Sequence, residues 1–363
     1  MKKFFLAMLL AMPLGMWAQG GQLNGSGYYR VQNRDTERYF SLVDNKNVTI
    51  TATNADLEAF VMLRGFEENV AFNAATICYM EQVGNEYNLK GQNLNLHDIA
   101  GQYLRIDPRA DGSYRIYGYS SGVSIFLVDF TAGGSIHPYT NGSKAFWYFL
   151  PVDQSDTQYF GVKPDVQGSD GSYWSTLYAG FAYKPSQSNT KLYRVNRVEG
   201  NYAIISEITT DVPTDCPVLV RCGGAEPKSN KLTLVSPFTS NIGANSLVGN
   251  YYCNDEEGSP QHRNLTAYKP GTMRMLGTTA DGRPAFVKSS ISYLPANKCY
   301  LSVSTAAPDQ LLIVTEEEYA SLGIADVKMD DSAADAQWYD MQGRRVSQPG
   351  HGIFIVNGKK VVR

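Results

Sequence analysis

Asp107 with Tyr117 and Tyr119, and Asp165 with Trp174 and Tyr178, each set a carboxylate ahead of aromatic residues on a predicted return strand. That combination suits polyhydroxyl recognition, because a ring stacks on the apolar face of a sugar while a carboxylate accepts hydroxyl hydrogen bonds. Asp44 occupies the matching place in a third stretch, and all three aspartates follow a Tyr-x-x-apolar opening. The competing structural account is that aspartates shape turns and alternating aromatics fill a core. Catalytic chemistry finds less to work with. His97, His137, His262 and His351 show no His-Glu-x-x-His spacing, and no Gly-x-Ser-x-Gly motif accompanies His97-Asp98. No catalytic residue, metal ligand or cofactor is assigned. Asp107–Gly112 and Asp165–Gly171 lack the alternating ligands of a calcium loop, and turn formation explains them better. A carboxylate pair of the glycoside hydrolase kind needs no motif and stands as the alternative.

Positioning these side chains falls to hairpins. Gln102–Tyr119 reads as a complete one: Tyr103–Ile106 alternates, Asp111-Gly112 supplies the positive φ of a tight turn, and Tyr114–Tyr119 alternates back. Arg38–Leu42 with Asp44-Asn45 and Val48–Ile50, and Gln158–Val162 with Asp170-Gly171 and Tyr173–Tyr178, predict a threefold repeat of that unit. Ala55–Leu63 and Val70–Val83 space their apolar residues as two amphipathic helices inserted between the first two members. A second β-rich unit is expected from about Asn201, with its own duplication of Val212–Leu219 in Leu294–Leu301. In each copy a proline opens a turn, Asp215 or Asn297 follows two residues later, and an apolar strand comes next. Asp281-Gly282 marks another hairpin, and Thr315–Glu318 opens a short helix with capping-box spacing. Residues 326–336 form a small, polar, acidic linker, and Trp338–Arg363 closes the chain with strands at Ile353–Val356 and Val361–Val362.

Composition agrees with short strands and turns. The 363 residues include 24 Tyr and 33 Gly and only 18% charged residues. Met1-Lys2-Lys3, the apolar run Phe4–Trp17 and Ala18 have the layout of a secretory signal peptide, and the run is too short to span a bilayer. The formal charge is −3, and without Lys2 and Lys3 it becomes −5, from 30 basic against 35 acidic residues. Such a chain has no extended basic surface, so nucleic acid is not an expected partner. The cysteines, Cys78, Cys216, Cys222, Cys253 and Cys299, are odd in number and lack Cys-x-x-Cys spacing. Cys216 and Cys222 would lie roughly 20 Å apart on an extended strand, which excludes a bond between them unless the strand folds back. Buried thiols are the first expectation, and a single disulfide such as Cys216 to Cys299 the second.

Tyr339-Asp340 through Val346, the Gly350–Gly352 turn and Ile353–Val361 resemble the C-terminal sorting tail of exported Bacteroidota proteins, which implies recognition by a type IX-like secretion apparatus. Leu294–Leu301 is similar to strand starts of the β-sandwich segments that precede such tails, and Asp331-Ser332-Ala333 resembles their short O-glycosylation motif. The Tyr-Leu-x-Ile hairpins resemble the ricin-type or fascin-like β-trefoil. The Gln-x-Trp signature of ricin-type lectins is absent, so this resemblance implies the fold and not sugar binding.

The expected architecture is all-β: a signal peptide at 1–18, a β-trefoil-like domain with a short helical insertion at 27–198, a β-sandwich-like domain at 199–314, a short helix and linker at 315–337, and a sorting-like β tail at 338–363. The expected function is a non-enzymatic binding or adhesion protein, exported to the cell surface or medium, with the periplasm as the alternative. Its expected partners are a glycan or host-surface ligand and, through the tail, the export machinery. No transmembrane segment is expected in the mature chain.

Overall fold

The computed structural model describes residues 23, 25–43, 57–63, 65–120, 122–130, 135–139, 144–253, 264–322, 337–340, 343–346, 353–356 and 359–362. The signal-like segment, Asp44 and its turn, His262, His351 and the acidic linker lie outside them. The described residues form an all-β protein with few, short helices.

The first sheet contains β1 (Gly27–Asn33), β2 (Tyr39–Leu42), β3 (Leu57–Leu63), β4 (Cys78–Val83), β5 (Glu86–Gly91), β6 (Leu94–Asn95), β7 (Arg105–Pro108), β8 (Tyr114–Ser120), β9 (Val123–Phe130), β10 (Ser135–Tyr139) and β11 (Trp147–Pro151). Helix α1 (Leu96–Ala100) follows β6. β1 pairs on one side with β11 and on the other with β4; β4 continues to β5, β5 reaches β7 through the Tyr87–Leu104 bridge, β7 pairs with β8, and β8 returns to β11. These strands close into a ring. Alternate side chains on them, including Val31, Met80, Leu89, Ile116, Trp147 and Phe149, fill one interior, as the two-residue period of a strand requires.

The second unit contains β12 (Phe160–Gly161), β13 (Val166–Gln167), β14 (Tyr173–Leu177), β15 (Ala182–Pro185), β16 (Lys191–Glu199), β17 (Tyr202–Glu207), β18 (Val218–Cys222), β19 (Lys231–Val235), β20 (Leu247–Asn250), β21 (Met273–Thr278), β22 (Pro284–Val287), β23 (Lys298–Ser302) and β24 (Gln310–Thr315). β12, β19 and β15 form a small sheet, and the other ten strands form a large one in the order β13-β14-β18-β16-β17-β24-β22-β21-β23-β20. Parity along β18 separates two cores: Val218, Val220 and Cys222 face the small sheet, whereas Leu219 joins Trp174, Tyr193, Phe286 and Leu301 on the other face. The large sheet curls, because Thr176 on β14 exchanges hydrogen bonds with the backbone of Cys299 on β23 and Ser169 N–H donates to Gly282 C=O. Helix α2 (Glu316–Ser321) has the expected Thr315–Glu318 capping box. β25 (Trp338–Tyr339), β26 (Arg345–Val346), β27 (Ile353–Val356) and β28 (Lys359–Val362) form a separate antiparallel sheet.

Three sequence expectations change. Leu57–Leu63 is a strand, not a helix, because β2 pairs along it; its apolar run fits a buried strand as well as a helical face. Val70–Val83 divides into a wide helical turn ending at Val70, a 3-10 turn at Ala74–Thr76 and strand β4, whose hairpin partner is β5. The third member of the predicted repeat leaves the first sheet altogether: Phe160 pairs with Leu232, and β14 pairs with β18. The chain thus changes sheet between Pro151 and Phe160, ahead of the expected step at 198–199. The shared Tyr-x-x-apolar wording marks a strand start, not a common position in the fold.

The two units are joined by buried polar contacts. Arg30, fully buried, donates to Thr76 Oγ1 and to the carbonyls of Gln158, Tyr159 and Val70. Burial pushes its guanidinium down to about 9, still charged at neutral pH. Asn297 Nδ2 donates to Gln92 Oε1 and Tyr178 C=O, while Tyr252 O–H donates to Gln92 C=O. Asp215 and Asn297, the matched positions of the duplication, both adopt left-handed backbone at φ 61° and 57°. Cys78, Cys216, Cys222 and Cys299 are buried free thiols, so Cys216 and Cys299 are not bonded to each other.

Candidate functional site

The hairpin β7–β8 carries Asp107, Tyr117 and Tyr119 on one face. Its turn is built as the Asp-Gly pair predicts: Gly112 has φ 79°, and Asp111 Oδ1 accepts from Ser113 N–H at 3.1 Å and Ser113 O–H at 2.6 Å. These bonds, with Arg34 beside them, hold the Asp111 carboxyl down at about 2. Register then places Arg105 opposite Tyr117, Asp107 opposite Arg115, and Tyr117 opposite Phe126, so all five share the outer face of the sheet.

The result is a continuous ladder of rings and guanidiniums. Arg105 lies 4.5 Å over the Tyr119 ring; Tyr119 meets Tyr117 edge-on at 5.8 Å; Tyr117 meets Phe126 at 5.4 Å. Arg115 lies 4.7 Å over Phe126 and 5.2 Å over Phe146, and Arg34 covers Phe146 at 4.2 Å. Tyr117 O–H donates to Asp107 at 3.3 Å, and burial followed by the Asp107 charge raises the phenol. Tyr119 is 39% exposed, which leaves it open to a ligand. Arg34 pairs with Asp35 and Asp111, Arg105 pairs with Glu86, and Asp107 stands opposite Arg115, so the guanidiniums of this face have carboxylates beside them. Arg105, Arg115, Phe126 and Phe146 were not among the sequence candidates. Arg115 could have been found, because it shares strand parity with Tyr117 and Tyr119.

In the other triad Asp165 N–H donates to Trp174 C=O at 2.8 Å, but the three side chains diverge. Asp165 binds Lys298 at 2.7 Å and accepts from Ser175 O–H and Thr176 N–H. It faces a cleft of about 410 Å³ between the units, also lined by Phe72, Phe160 and Lys163. Tyr178 packs against Tyr251 in a tilted pair with ring centroids 4.2 Å apart in the junction. Trp174 turns inward to the opposite core and donates to Ser172 Oγ at 2.8 Å. His97 stacks on Tyr103 at 4.0 Å, with Nδ1 3.5 Å from Asp98. Among the described residues no three His, Cys, Asp or Glu side chains are grouped to hold a metal ion, and no helix is long and apolar enough to cross a membrane.

Two carboxylates, Asp170 and Glu318, line one cleft at the mouth of the large sheet. Both are engaged locally: Glu318 completes the α2 cap, and Asp170 is held below the usual carboxylate range by Ser172. A glycosidase general acid needs its pKa raised, the opposite of Asp170. Comparison with protein-family models, with curated proteins and with solved structures returned no match.

Proposed function

We propose that this chain is an exported cell-surface binding protein that recognises glycans through the outer face of β7–β9. The observation that carries the reading is the ring and guanidinium ladder from Arg105 through Tyr119, Tyr117 and Phe126 to Arg115. Rings offer stacking area, while the Arg and Asp groups offer the donors and acceptors that neutral hydroxyls require. A closed ring of β1, β4, β5, β7, β8 and β11 supports reading the first unit as a β-trefoil, with the pair β2–β3, the segment β6–α1 and the pair β9–β10 as its three outer elements. The signal-like residues 1–18 and the resemblance of 338–363 to a sorting tail support export.

A glycan array probed with the full mature chain tests recognition: the proposal expects binding to at least one neutral glycan, lost in Tyr119→Ala. Absence of binding by a folded sample to every glycan would end it. For export, deletion of 338–363 followed by cell fractionation should leave the protein inside the cell envelope; unchanged surface delivery would remove the tail from the account.

A further inference from the structure

The curled sheet of the second unit leaves an open mouth with a volume of about 350 Å³, floored by Trp174, Tyr193, Ile205 and Ile313. Its size is that of a small-molecule pocket, and the mouth of a curled sheet is a common ligand position. The rim carries Arg221, Arg283, Asp170 and Glu318. Three of these are committed: Arg283 pairs with Asp281, Asp170 holds its turn through Ser172, and Glu318 caps α2. Arg221 is different. It stands across from Trp174 in the β14–β18 register, lies 5.8 Å over the indole, donates a hydrogen bond to the Tyr193 hydroxyl, and is exposed, with no carboxylate in ion-pair contact among the described residues.

We propose that this mouth is a second binding site, for a small molecule with a flat apolar body and a single carboxylate. The body would lie against Trp174 and Tyr193, and the carboxylate would take the in-plane N–H edge that a ring-stacked guanidinium keeps turned outward. A monoanion fits better than a phosphate dianion, because Asp170 and Glu318 already balance Arg221 and Arg283 around the rim and Arg221 is the guanidinium left without a carboxylate partner there. The site lies in a different unit from the β7–β9 face and does not depend on glycan recognition there.

The test uses the full mature chain with ¹⁵N-labelled tryptophan, titrated with 3-phenylpropionate and with its neutral analogue 3-phenylpropionamide. The Trp174 indole N–H resonance is assigned from Trp174→Phe. The expected result is a saturable shift of that resonance by the acid, with affinity at least tenfold weaker for the amide and for Arg221→Gln. No saturable shift with the acid, or equal affinity for acid and amide, would overturn the proposal. The amide comparison needs no substitution and holds whatever Arg221→Gln does to folding.

Discussion

Replacing Arg30 by Met should weaken the whole molecule, because Arg30 is the polar tie between the first ring and the chain that leaves it. The substitution removes 2.8 and 2.9 Å bonds to the carbonyls of Gln158 and Tyr159 and a 3.1 Å bond to Thr76, all in the buried junction. Gln158 C=O retains a weaker bond from Asp153 N–H at 3.3 Å, so the loss falls hardest on Tyr159 C=O. Hydrogen bonds from a charged donor contribute about 1.5–3 kcal/mol each, and an orphaned buried acceptor costs about 1–3 kcal/mol. The methionine recovers some apolar burial against Phe66, now 5.2 Å from the guanidinium. The balance is a loss of about 3–4 kcal/mol. Urea unfolding followed by tryptophan fluorescence measures it, with both units expected to unfold in one transition at an unchanged m value. A loss below about 1 kcal/mol, or two separate transitions in the parent protein, would refute the idea that this buried arginine couples the units.

Arg38→Met strands Asp129, buried at 1% exposure and otherwise bonded by Thr36, and should cost about 3–5 kcal/mol in the same assay. Asn297→Ala should be less stable than Asn297→Gly by about 1 kcal/mol, since both lose the Gln92 contact and only alanine is strained at φ 57°. Asp111 has a folded pKa lowered to about 2, so its contribution to stability is complete above the ordinary carboxylate pKa and fades as pH falls toward 2. Asp111→Asn should therefore flatten the pH dependence of unfolding in that acid window and nowhere else. Burial raises the thiols of Cys78 and Cys299 well above the ordinary range, Cys216 to about 11 and Cys222 to about 12. All four should resist a thiol reagent at pH 8 until the protein is denatured, and rapid labelling of the folded chain would contradict their burial.

Turn chemistry was the most legible part of the sequence, because it is local. Gly112, Gly171 and Gly282 take φ 79°, 79° and 81° at the three Asp-Gly sites, and Asp111 and Asp170 bond Ser113 and Ser172 in the same way. The Thr315–Glu318 cap and the matched Asp215 and Asn297 turns were equally readable. Distant strand partners were not. Tyr103–Ile106 leads into β7, which pairs with its own return strand β8 as its Asp-Gly turn predicts, whereas Phe160 of the like-patterned Gln158–Val162 pairs with Leu232, far along the chain on β19. Leu57–Leu63 misled for a related reason: the unbroken apolar run Ala59–Leu63 within it has no period to read. The candidate face was half visible. Tyr117 and Tyr119 share parity on one strand, but Phe126 and Phe146 join them only through register and packing across strands.

Isothermal titration of the mature chain with the strongest glycan from the array, beside Tyr119→Ala, tests the central proposal most directly. Tyr119 is 39% exposed, so its removal should leave folding intact. The account predicts affinity at least tenfold weaker in the variant, about 1.4 kcal/mol of binding free energy, with the circular dichroism spectrum unchanged. Equal affinity in the two proteins would show that the ladder on β7–β9 is a structural brace and not a binding face.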